Sequence, residues 1–192
     1  MTGQIEAGGN VMSLMNYSLS CTDYCFDGLF RDCTSLVKAP CLPATSVAER
    51  CYNEMFYNTG IIVAPELPAT TLADSCYNNM FHDCFSLTAS PDLPATTLVD
   101  SCYYCMFESC TSLKDAPYIP NVTFGTQSLF QMFYSCSSLS GISVGFTEWG
   151  DSNATESWVQ NVAENGIFTK PTALSEYNGS DYIPSNWTVV NV

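Results

Sequence analysis

Basic residues are scarce. Five Lys and Arg stand against nineteen Asp and Glu, a net charge of −14, so a phosphate backbone would be repelled and no nucleic-acid partner is expected. An anionic membrane surface is disfavoured for the same reason. Long hydrophobic runs are missing too. The longest purely aliphatic stretch, from Ile61 to Ala64, is far short of the roughly 20 residues that a spanning helix needs, so no membrane insertion is expected. Charge of either sign is low: 12% of residues, about half the usual quarter, which leaves Asn, Ser, Thr and Tyr to cover the surface. Between Gln4 and Met15 there is no basic n-region and no cleavage site. The chain therefore either has no signal peptide or was cut from a longer one, and the cut is the expected case.

What the chain has instead is repetition. In 192 residues, enough for one domain or one plus a small appendage, the pairs Leu29-Phe30, Met55-Phe56, Met80-Phe81, Met106-Phe107 and Met132-Phe133 recur every 25 or 26 residues. Around them a frame repeats. Leu67-Pro68-Ala69-Thr70-Thr71-Leu72 leads to Cys76-Tyr77, Met80-Phe81, Cys84, Ser86-Leu87 and Pro91, and the next unit runs from Leu93-Pro94 to Pro117 in the same order. The unit from Leu42-Pro43 is one residue shorter after Phe56 and has no cysteine equivalent to Cys84; the last has Ser128 in place of Cys25, Cys51, Cys76 and Cys102.

Within a unit, Leu72, Cys76, Met80 and Cys84 fall four apart, with Ala73, Tyr77 and Phe81 beside them. This spacing predicts one apolar face of a short helix, with Thr70 or Thr71 as its cap. Leu87 to Leu93 reads as extended chain closed by Pro94. Strands stack at about 4.8 Å and helices at roughly 8 to 10 Å, so the stack should curve with its strands on the concave side. The expected architecture is an α/β solenoid, a right-handed stack of short helix plus short parallel strand units with a small α+β cap at the C-terminus. Its divisions are 1–20 as an N-terminal strand or cap, 21–142 as five stacked units, and 143–192 as the capping segment. In that last segment a helix is expected over 151–165, with Asp151, Ser152 and Asn153 as cap candidates and Gly166 as its stop. Strands are expected over 167–169 and 187–192, with a turn around Asn178-Gly179.

The run Cys84-x-x-Leu87-x-x-Ser90-x-x-Leu93-Pro94, followed by Met-Phe-x-x-Cys-x-Ser-Leu, resembles the BspA-type leucine-rich repeats of bacterial surface proteins, over about residues 21 to 140. The Leu-Pro-Ala-Thr-Thr variant is similar to one common in gut anaerobes and their phages. It departs from the typical pattern in its 26-residue length, in Met-Phe for Ala-Phe, and in small Ala or Ser for isoleucine. The resemblance implies a leucine-rich repeat fold and a place on a cell surface, outside the cell, or on a virion.

Eleven cysteines fit neither a dense disulfide scaffold nor a protein with paired zinc knuckles. On stacked helices their α-carbons would stand too far apart for bridges. Eight, at the two repeat positions, are therefore expected as small buried hydrophobes in a thiol ladder, while Cys21, Cys41 and Cys105 are extras whose oxidation stays open. Cys102-x-x-Cys105 lacks a second knuckle, so no metal and no cofactor is expected. His82, the single histidine, holds a position filled elsewhere by Arg31, Tyr57, Glu108 and Tyr134, as an exposed residue would. No carboxylate pair stands out for glycosidic chemistry. Leu-Pro-Ala-Thr-Thr is internal and repeated, unlike a sorting signal, and chance in such a composition explains most of the five Asn-x-Ser/Thr sequons.

Positions that drift between units mark the candidate binding face: Lys38, Ile62, Glu66, Thr88, Asp92, Lys114, Asp115 and Tyr118, on the extended segments. Tyr52, Tyr77 and Tyr103 are expected to pack. No enzyme is expected. The reading is a non-catalytic module adhering to a host surface protein or glycan. A structural spacer of a larger surface or tail protein is the alternative, and a carbohydrate-active enzyme stands third. Oligomeric state is left open.

Overall fold

A computed structural model describes residues 3–18, 20–151 and 153–192. Its elements are few: β1 (Ile5–Glu6), a 3-10 turn (Val11–Met15), β2 (Leu36–Lys38), β3 (Gly141–Ser143), β4 (Ile167–Lys170) and β5 (Thr188–Asn191). β1 pairs with β2, and β3–β4–β5 form a second sheet, all parallel. Strands were expected over 167–169 and 187–192; β4 covers the first and runs one residue further, and β5 lies within the second.

The α/β solenoid of helix–strand units is corrected, and with it the leucine-rich repeat reading. Among the described residues there is no α-helix. Where a helix was expected, each unit carries a ribbon of consecutive β-turns. Amides at alternate residues bond three residues back within the unit: Cys76 to Ala73, Asn78 to Ser75, Met80 to Tyr77, His82 to Asn79 and Cys84 to Phe81. The amides between them bond to the next unit, as Tyr77 does to Cys102, Asn79 to Tyr104 and Phe81 to Met106. Every fourth residue takes a positive φ, for example Ser75 at 55°, Asn79 at 52° and Asp83 at 59°. A turn whose third residue is left-handed thus alternates with one whose central residues are not. The left-handed positions are mostly Asn, Asp, Ser or Gly, the residues that tolerate them. Thr70 and Thr71 cap nothing; their backbones pair with the neighbouring unit instead.

The ribbon occupies 22–33, 48–59, 73–84, 99–110 and 125–136 and continues over 154–161. There Leu129, Gln131, Phe133 and Ser135 donate to Ala154, Glu156, Trp158 and Gln160. The helix expected over 151–165 is therefore another ribbon, with Trp158 taking the place of Met132. Ser152, one of its cap candidates, lies outside the described residues.

Neighbouring units are close. Phe30, Phe56, Phe81, Phe107 and Phe133 form one column of stacked rings, 5.5 to 5.7 Å between centroids. Phe26, Tyr52, Tyr77 and Tyr103 form a second at 5.7 to 5.8 Å, so these tyrosines pack as expected. Such ring pairs add about 0.5–1.5 kcal/mol each beyond their burial. With ribbons rather than helices on the side away from the strands, the mismatch in spacing that predicted curvature is gone.

The shorter second unit closes through Gly60, where a Cβ would lie 2.5 Å from the Thr34 carbonyl oxygen. Thr59 fills the site of Cys84 there, buried and donating its hydroxyl to the Phe56 carbonyl at 3.0 Å. Cys84 itself donates to the same carbonyl at 3.1 Å, Cys110 to Phe81 at 3.1 Å and Cys136 to Phe107 at 2.9 Å. No helix among the described residues is long and apolar enough to cross a membrane.

Candidate functional site

Two runs of parallel bridges carry most of the expected face. One joins Lys38 to Val63 and Val63 to Ala89, the other Asp115 to Gly141, and between them the Ser90 hydroxyl reaches the Asp115 carbonyl at 3.5 Å. Beside the first, Ile62 donates its amide to Val37 at 3.3 Å, and Thr88 donates both amide and hydroxyl to Ile62 at 2.9 and 3.1 Å. Lys38, Ile62, Thr88, Lys114 and Asp115 are therefore brought into adjacent rows, all exposed. Glu66, Asp92 and Tyr118 are exposed too, at the far end of the same extended segments. Lys38 is engaged at the surface by Glu6, 3.5 Å away.

Two open grooves flank the rows at the N-terminal end. One, of about 590 Å³, runs from Gln4 past Val37 and Ile62 to Ser86 and Ser112. The other, of about 580 Å³, lies among Glu6, Lys38, Val63 and Pro65 and shares Val37 and Ile62 with the first. Aliphatic floors edged by hydroxyls and a few charges suit a ligand that is both stacked upon and hydrogen-bonded.

A second regular surface was missed in the sequence. Thr45, Thr70 and Thr96 are exposed in one row, and Thr71, Thr97 and Thr123 in another that begins at half-buried Ser46, with bridges Ser46 to Thr71 and Thr97 to Thr123. The signal was present in the repeated Leu-Pro-Ala-Thr-Thr, but a capping role had absorbed it.

His82 is not the solvent-facing residue expected. Its ring lies 4.8 Å from that of Tyr57, which in turn carries the Arg31 guanidinium at 4.9 Å. Asp83 and Glu108 approach the imidazole at 3.5 and 3.6 Å, and Arg31 reaches Glu54. The drifting column thus stacks upon itself, and it holds no nucleophile for His82 to activate.

The cysteines divide in an unexpected way. Cys51, Cys76, Cys84, Cys102, Cys110 and Cys136 are buried, but Cys33 is exposed and Cys25 only half-buried, because the first unit's ribbon has another ribbon on one side only. The wide spacing argued from helices does not hold either. The sulfurs of Cys21, Cys25 and Cys51 lie within 4.8 Å of one another, and the Tyr52 hydroxyl is 3.6 Å from Cys21 Sγ. Hydrogen bonding from Cys51, and to a smaller degree from Tyr52 and Cys25, holds the Cys21 thiol below its ordinary range although burial opposes this. Burial foremost pushes Cys25 up. Cys102 and Cys105 turn to different partners, the Ser128 carbonyl at 4.0 Å and the Gln131 side chain at 3.6 Å.

Comparison with protein-family models, with characterised proteins and with solved structures finds no match for this chain.

Proposed function

We propose that this protein is a non-catalytic recognition module that adheres to a host surface protein or glycan, at a cell surface or on a virion. The observation that carries the reading is the alignment of exposed, unit-to-unit variable side chains on successive parallel segments, from Lys38 and Ile62 through Thr88 to Lys114 and Asp115. A regular backbone presents the rows while their side chains vary, which is how stacked repeats build binding surfaces. The acids of the face, Glu66, Asp92 and Asp115, are spread over successive units. The motif's likeness to BspA-type surface proteins supports the setting.

A screen of glycans and host surface proteins with the intact chain tests it. Binding is expected, and the pair Ile62→Asp with Thr88→Arg should weaken it by more than about tenfold, the loss typical of a hot-spot contact. A chain that binds nothing, or binding indifferent to both substitutions, overturns the reading.

A spacer role has its own support in the two terminal strands. Ile5 in β1 is 59% exposed and Val190 in β5 is 40% exposed, and each of these strands has one pairing partner within its sheet, as units that join end to end would have. Concentration-dependent end-to-end assembly in light scattering, without ligand binding, would favour the spacer.

A further inference from the structure

We propose that Cys21, Cys25 and Cys51 form a binding site for a thiophilic divalent ion, zinc by chemistry, at the N-terminal end of the stack. Cys25 and Cys51 are the first members of the cysteine column that continues through Cys76 and Cys102. Cys21 is different. Four residues before the column cysteine the other units carry Val47, Leu72 and Leu98, so a hydrophobic filler was available and a thiol stands there instead. That one exchange turns a column of isolated sulfurs into a triangle of three, each within 4.8 Å of the others.

Metal–sulfur bonds of about 2.3 Å in a tetrahedral zinc site place sulfurs about 3.8 Å apart. The triangle therefore needs to contract by no more than about 1 Å, which small χ1 changes supply. Access is open: Cys21 and Cys25 are half-buried and only Cys51 is enclosed. The fourth position falls to solvent or to the Tyr52 hydroxyl, already 3.6 Å from Cys21 Sγ. Beyond it, Met12 Sδ lies 4.0 Å from that hydroxyl. An all-sulfur triangle selects against magnesium and calcium, which take oxygen ligands. Three thiolates around a divalent ion leave one net negative charge where a monovalent ion would leave two. In a half-buried setting the smaller residual charge costs less. The chain's net charge of −14 also concentrates cations around it. On binding, each thiol releases its proton to solvent and its sulfur lone pair enters the metal bond; nothing is oxidised.

The test uses the full chain, reduced and kept free of oxygen. Titration with Co²⁺ should give a thiolate-to-metal charge-transfer band that saturates at one ion per chain, and Zn²⁺ should displace it. Cys21→Val, the residue that the next unit carries, should retain the folded near-ultraviolet dichroism and lower zinc affinity by more than about tenfold, whereas Cys41→Ser should leave it unchanged. The absence of a thiolate band, or a Cys21→Val chain that binds as tightly as the parent, overturns the site. So does a Cys21–Cys51 disulfide that persists in the reductant, since it would take two of the three ligands.

Discussion

Ser128 occupies the fifth position of the cysteine column, fully buried, and among the described residues its hydroxyl is the one buried side-chain oxygen or nitrogen without a hydrogen-bond partner. A hydroxyl taken from water and left unpaired costs about 1–3 kcal/mol. A thiol in the same place is a weaker donor and behaves as a small hydrophobe, which is what Cys51, Cys76 and Cys102 are in this column. Ser128→Cys should therefore stabilise the protein by about 1 kcal/mol, read as a higher urea midpoint at unchanged slope. A midpoint that stays or falls would show that the hydroxyl has a partner after all. The substitution of Ser for Cys could be seen in the sequence; that it leaves an orphan could not, since the geometry around it depends on what stacks above and below. Thr59 makes the converse point. It stands three residues after Phe56 as Cys84 does after Phe81, and its hydroxyl turns to the carbonyl of its own unit's Phe56.

The ribbon of turns explains why the elements were misread. Leu-Ala-x-x-Cys-Tyr-x-x-Met-Phe, over 72–81, repeats its apolar pairs strictly every four residues, and over three pairs this differs from the 3.6-residue helical period by about one residue. The extended segments and the stacking of units were legible because they rest on the long 25- or 26-residue repeat. The hand of each fourth residue was not, because Asn, Asp and Ser are equally at home in caps and turns. The positive φ now has a consequence. At Ser75, φ 55°, an L side chain costs about 1–2 kcal/mol in the left-handed region, partly offset in glycine by its chain entropy. Ser75→Gly should leave the melting temperature equal or higher, and Ser75→Val, β-branched where no β-branched residue sits comfortably, should lower it by several degrees. If the valine variant melts at or above the glycine variant, the residue is helical and the ribbon is wrong. The exposed rows were half legible: drift between units picked out the candidate face, but the threonine rows barely drift and so escaped the same test.

At the scale of the whole molecule the thiols act together. Burial, the leading cause in each case, pushes Cys84 up to about 11 and Cys76 and Cys136 up to about 12, while an unfolded thiol titrates near 8.5. A folded-state value above the unfolded one means that the unfolded chain gives up its protons first as pH rises. The contribution to stability is therefore whole below about pH 8.5 and drains away towards pH 11–12, at up to about 1.4 kcal/mol per pH unit for each thiol. Buried Tyr77 and Tyr103, raised well above their ordinary range mainly by burial, act in the same direction at higher pH. Several such groups against a total stability of about 5–15 kcal/mol predict cooperative unfolding between about pH 9 and pH 11, with little change from these buried thiols between pH 5 and 8. Cys21, held down to about 6, acts in the opposite sense and loses its contribution as pH falls from about 8.5 towards 6. Emission from Trp149, Trp158 and Trp187 reports the unfolding. The second unit supplies the control, since Thr59 shows that a hydroxyl fits the Cys84 position, donating to the Phe56 carbonyl of its own unit where Cys84 donates to the carbonyl of the unit before. Cys84→Thr removes one titrating group while retaining the donor, so its alkaline midpoint should move to higher pH, with the stability at pH 7 nearly unchanged. A parent that remains folded at pH 11.5, or a Cys84→Thr midpoint that does not move upward, would mean that the buried thiols do not set the alkaline limit of the stack.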